Sequence, residues 1–173
     1  MLFPAILVLE DGSVMEGIGF GSKQQSVGEI VFNTSMSGYQ EIITDPSYAK
    51  QIIAFTHPHI GNTGINNEDN ESDNIFASAI VIKDLPKNYS NWRANQSLES
   101  FLLSKSTIGI SNIDTRALTA KLREHGSLKA CIAPGGKESL SEANDALNQF
   151  SGLEGLDLAK EVSTKNSFSW EEG

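Results

Sequence analysis

The residue types with most chemical capacity fall in a few short runs. His57 and His59, in HPHIGN, stand two positions apart, so on an extended strand both imidazoles would face the same way, as metal ligands can. The acidic run Glu68, Asp69, Glu71 and Asp73 is the rich nearby source of further ligands. Pro58 between the histidines favours a structural turn over a metal site. Cys131 lies in the apolar run LKACIA. A reactive thiolate needs an exposed, electropositive setting, so a buried core cysteine is expected there. The glycines of EGIGFGSK are spaced G-x-G-x-G, which is not the dinucleotide fingerprint and opens no helix, and neither a G-x-S-x-G elbow nor a Walker sequence occurs.

Ser47, in TDPSY, is the more informative hydroxyl. Pro46 fixes its own φ and Asp45 can accept from the backbone ahead of it, so the pair starts a turn. That turn would present Ser47 outward beside Tyr48. As a nucleophile it lacks a partnered histidine at any predictable position. On the residues alone, contact with a polar ligand and capping of the turn both stay open.

The elements that must position these residues change along the chain. AILVLE and SVMEGIGF flank Asp11-Gly12, a dipeptide suited to a tight hairpin. GEIVFNTS, QIIAFTH and FASAIVIKDL read as further strands. Ile52–Phe55 and Ala79–Ile82 are apolar throughout, which predicts strands covered on both faces. In the second half, Ser97 can cap a helix over LESFLLSK and Asp114 one over TRALTAKLREH, which Gly126 stops. TIGISNI and LKACIA read as strands, and Leu140, Ala143, Leu147 and Phe150 repeat at helical spacing up to Gly152. The class is mixed α/β, with strands first and helices later.

The 173 residues suit one domain, or one domain with a tail: 39% are hydrophobic, 20% charged and 15 are glycine. A net charge of −9 argues against nucleic acid and against an anionic membrane, since both need basic surface. The single cysteine excludes an internal disulfide framework and fits a reducing compartment. LFPAILVLEDG is expected to be a first strand rather than a signal peptide, and no run reaches the length of a membrane helix. The expected location is cytoplasmic. The polar end VSTKNSFSWEEG reads as a linker.

LVLEDGSVMEG, VGEIVFNTSMSGYQEIITDPSYAKQII, HPHIGN, NWR, IDTRALTAKLREHG and LDLAKEVST occur in an order and spacing that resembles the small subunit of glutamine-dependent carbamoyl-phosphate synthase, the bacterial two-subunit enzyme in particular. The likeness runs over the whole chain. It implies the amino-terminal domain of that subunit, with the "swivelling" β/β/α fold over 1–162, and 163–173 as the start of a linker to a class I glutamine amidotransferase domain. That further domain would carry a Cys-His-Glu triad, leaving no catalytic residue here. It would pass ammonia to a large subunit that uses ATP, Mg and bicarbonate, in arginine and pyrimidine biosynthesis. The resemblance also implies that Ser47 contacts glutamine, that this domain holds no cofactor or metal, and that its partners are the large subunit and its own amidotransferase domain. His57 stands where the family often has tyrosine, which weakens the metal reading. The large side chains Met36, Tyr39 and Tyr48 are of a kind that anchors interfaces. The alternative is a stand-alone binding or scaffold domain that keeps the fold without enzyme activity.

Overall fold

An aspartate followed by a glycine turns the chain back after its first strand. The structure, a computed structural model, describes residues 1–164 and Ser169. β1 (Phe3–Leu9) and β2 (Val14–Gly21) pair antiparallel with Val8 opposite Val14, and Gly12 takes φ 84°, which glycine adopts without strain. Asp11 Oδ1 accepts from Ser13 N at 2.9 Å, and Oδ2 accepts from Lys121 Nζ at 2.5 Å. The lysine contact brings the Asp11 carboxyl pKa down to about 2 and ties the turn to a helix far along the chain.

After this hairpin come β3 (Ser26–Asn33), α1 (Tyr39–Thr44), β4 (Gln51–Phe55), β5 (Ala79–Val81), α2 (Leu98–Ser104) and β6 (Ile108–Ser111). Then follow α3 (Thr115–His125), β7 (Leu128–Pro134), α4 (Leu140–Gln149) and α5 (Leu158–Val162). The expected caps are present: Ser97 Oγ accepts from Ser100 N at 3.1 Å and Asp114 Oδ1 from Ala117 N at 2.9 Å. Gly126 ends α3 at φ 85°.

The seven strands close into a barrel in the order β1-β2-β6-β5-β4-β3-β7, with β7 returning to β1. The run β3-β4-β5-β6 is parallel and the other pairings are antiparallel. Period-2 alternation then sorts the side chains. Leu7, Ile30, Ile52, Val81, Ile110 and Ile132 fall in one inner cluster, to which α3 adds Leu118 and Leu122. Ile53, Phe55, Ile80 and Ile82 point the other way, under Ile43 of α1 and Phe101 and Leu102 of α2. Ile6, Val8 and Cys131 are covered by Ala143 and Leu147 of α4. This is why the runs at Ile52 and Ala79 are apolar throughout: each has the barrel on one side and helices on the other.

The order of elements is more interleaved than strands first and helices later. α1 interrupts the strand half, and β7, late in sequence, inserts between β1 and β3. The G-x-G-x-G run is a packing device. A Cβ on Gly19 would lie 2.1 Å from the Phe3 ring, and one on Gly17 would lie 2.5 Å from Ser111 O. The expected linker falls mostly on 165–168 and 170–173, outside the described residues. Among the described residues no helix is long and apolar enough to cross a membrane.

Candidate functional site

The stretch from β3 to β4 is a parallel crossover, so it must travel from the carboxyl end of one strand to the amino end of the next. Asn33 closes β3: its Oδ1 accepts from Ser35 N at 2.8 Å, and its Nδ2 donates to Tyr48 Oη at 2.9 Å. Gly38 supplies a φ of 76° at the entry to α1, a six-residue helix with two adjacent isoleucines. So short a segment has little helical stability of its own. Burial holds it, through Tyr39, Gln40, Ile43 and Thr44.

Gln40 is the central fastener. Its Nε2 donates to Asn66 O at 2.6 Å and to Asn70 Oδ1 at 2.8 Å, and its Oε1 accepts from Asn66 N at 3.0 Å. Thr44 continues the seam: its Oγ1 accepts from Glu71 N at 3.0 Å, and its carbonyl accepts from Ser72 Oγ at 2.6 Å. Asn66 and Arg93 both hydrogen-bond Asp69 and hold its carboxyl below the usual carboxylate range. Arg93 reaches both Asp69 oxygens, at 2.7 and 3.2 Å, and Glu68 at 2.9 Å. The acidic run is therefore committed in part to bracing loops.

Beyond α1, Asp45 Oδ1 accepts from Ser47 N at 2.8 Å, and Pro46 opens a 3₁₀ turn, Pro46–Tyr48. The turn is the one expected from Asp-Pro, with Ser47 exposed on it. A hydroxyl on a loop so restrained can donate to or accept from a polar ligand with little ordering cost. Nothing in the turn activates it as a nucleophile.

The other candidates separate. Cys131 is fully buried in β7, and burial pushes its thiol up to about 12, so the thiolate is scarce near neutrality. The rings of His57 and His59 do meet, edge to face with centroids 5.7 Å apart. Among the described residues, no three His, Cys, Asp or Glu side chains group so as to hold a metal ion. Tyr39 is corrected as an interface anchor: it is 6% exposed, and its hydroxyl donates to Gly64 O inside the domain. Tyr48 is half-buried against Asn33. Met36 does stand out, at 80% exposure.

Two features escaped sequence reasoning. Trp92 is 92% exposed on a loop braced by Arg93, where NWR alone shows no periodicity from which to read exposure. A cleft of about 560 Å³ opens at the carboxyl ends of β4, β5 and β6, lined by Thr56, Lys83, Asp84, Asn112, Asp114 and Arg116. It lies beyond the carboxyl ends of these strands, whereas Ser47 precedes the amino end of β4. Its charged side chains are exposed and mixed in sign, so it focuses no field on a ligand of either charge. Ser47 is the candidate that the sequence offered: Asp45 holds its backbone amide and the residue is exposed.

Comparison with known proteins gives a consistent picture. The family described as "Carbamoyl-phosphate synthase small chain, CPSase domain" matches residues 7–132. The carbamoyl phosphate synthase small chain of Vibrio parahaemolyticus is 53% identical over 169 residues, covering 98% of this chain and 45% of that one. The corresponding protein of Xylella fastidiosa is 49% identical over 173 residues, covering 100% of this chain and 46% of that one. The chain thus spans under half the length of these curated relatives. Among solved structures, an aminopeptidase from Aneurinibacillus sp. strain AM-1 superposes at a TM-score of 0.42 with 16% identity, over 79% of this chain and 33% of that one. A likeness that weak carries no argument.

Proposed function

This chain belongs to the carbamoyl-phosphate synthase small-chain family, and on that premise we propose that it is the amino-terminal domain of a subunit that supplies ammonia from glutamine. In this reading the domain has the swivelling β/β/α fold over 1–162, and 163–173 begins the linker to an amidotransferase domain that carries the catalytic triad. ATP, magnesium and bicarbonate are handled by a large subunit, in the cytoplasm, and the product serves arginine and pyrimidine synthesis. This domain holds no cofactor or metal of its own. It docks on the large subunit and completes the glutamine site with Ser47.

The observation that carries the reading is the family match over residues 7–132, and the Ser47 turn supports the proposed glutamine contact. The Ser47 backbone amide is occupied by Asp45 and its side chain faces outward. A single hydroxyl hydrogen bond contributes about 0.5–1.5 kcal/mol net. Ser47→Ala in the full-length subunit, assayed with its partner, should therefore raise the glutamine KM about 2- to 10-fold. Ammonia-dependent synthesis should change little. An unchanged glutamine KM would remove Ser47 from the site.

The domain alone is expected to be inactive. Its one cysteine is buried with a pKa near 12, so the purified 173-residue chain should release no ammonia from glutamine above a buffer control. Ammonia release that Cys131→Ala abolishes would overturn this.

A further inference from the structure

Lys50 closes the Ser47 turn in an uncomfortable conformation. Its φ is 60°, a left-handed angle at which glycine is at ease and lysine is strained. Its amide donates to Phe76 O at 3.3 Å, and its carbonyl packs against Gly28, where a Cβ would stand 2.5 Å from it. What lysine offers here that glycine cannot is its side chain. Lys50 Nζ meets Glu161 Oε1 at 2.6 Å, on α5, 111 positions further along the chain.

A second anchor lies on the neighbouring strand. Glu29 of β3 sits opposite Gln51, the residue after Lys50. Its carboxylate accepts from Leu153 N at 2.9 Å. Adjacent positions on β3 and at the start of β4 therefore grip both ends of the segment from Leu153 to Glu161. They do so at the end of the strands that carries Ser47.

We propose that Glu29 and Lys50 form a clamp that sets the direction in which the chain leaves this domain, and with it the seating of the following domain over Ser47. The proposal rests on the glutamine-site reading above. Glu29 and Lys50 are positioning residues: they act through the 153–161 segment and not on substrate.

The informative variant is Lys50→Gly in the full-length subunit, because it relieves the backbone while deleting the charge. Its unfolding midpoint should be unchanged or raised, and amide hydrogen exchange in α5 should quicken. The glutamine KM should rise about 2- to 5-fold with kcat held, as expected for losing a partly exposed ion pair. Lys50→Glu and Glu161→Lys should each raise KM, and the two together should restore it, which ties the effect to this ion pair. Unchanged α5 exchange in Lys50→Gly, or a double reversal no better than the singles, overturns the clamp. A raised KM in Ser47→Ala beside an unchanged one in Lys50→Gly overturns the clamp alone. The reverse pattern removes the serine contact and keeps the clamp.

Discussion

Replacing Gln40 with alanine is expected to destabilise the domain by about 3 kcal/mol, since each buried partner left unsatisfied costs about 1–3 kcal/mol. The glutamine is buried, and its amide serves both the N–H and the C=O of Asn66. Removing the amide takes both partners from Asn66 at once. Asn66 in turn orients Asp69, which holds Arg93, so the damage should spread to the loop that carries Trp92. Gln40→Met separates the terms. It keeps most of the volume but none of the hydrogen bonds, and should recover no more than about 1 kcal/mol. Urea unfolding midpoints at constant slope are the measurement. A loss under about 1 kcal/mol in Gln40→Ala would show that the seam between α1 and the 63–74 loop is not held by this amide.

On the docking proposed above, Trp92→Ala should weaken binding of a large subunit about 30-fold, or about 2 kcal/mol, the cost typical of a central aromatic anchor. An indole 92% exposed to water contributes little to its own fold. The loop around it is firmly held: Arg93 pairs with Asp69 and Glu68, Arg93 N donates to Asn91 Oδ1 at 3.1 Å, and Ser90 N donates to Asn62 O at 2.9 Å. The side chain is thus presented with much of its ordering cost already met. Gly38 and Asn91 line one shallow recess, which brings the segments bearing Met36 and Trp92 together. The neighbouring run Glu68, Asp69, Glu71 and Asp73 outweighs Arg93 in charge. The matching surface should be an apolar pocket with a basic rim. Titration of the large subunit with full-length small subunit, wild type and variant, tests this, with the thermal midpoint of the variant expected to stay within a degree or two. Unchanged affinity would move the docking face elsewhere.

What could be read in advance depended on how local the cause was. The Asp11-Gly12 hairpin, the caps at Ser97 and Asp114 and the turn at Asp45-Pro46 each depend on residues within a few positions, and each formed as expected. Cys131 was legible because a continuous apolar run carries its own burial. α1 was not: six residues with paired isoleucines favour strand by propensity, and tertiary contacts hold them as helix, with residues 63–72 through hydrogen bonds and with the barrel through Ile43. Barrel closure was equally hidden, since β2 meets β6 and β1 meets β7 across roughly half the chain or more. At the candidate site the same division holds. Ser47 stands on a turn built by its neighbours, whereas the Lys50–Glu161 pair joins positions 111 apart.

The insertion of β7 between β1 and β3 has a consequence for how the protein is made. Leu128–Pro134 bridges two strands that emerge from the ribosome long before it. Until then both present unpaired edges, and β1 is almost wholly apolar. Closing the ring is therefore a late, long-range event that waits on more than three-quarters of the described chain. During synthesis the nascent domain passes through an open, sticky sheet, and a truncation anywhere before Pro134 would keep it there.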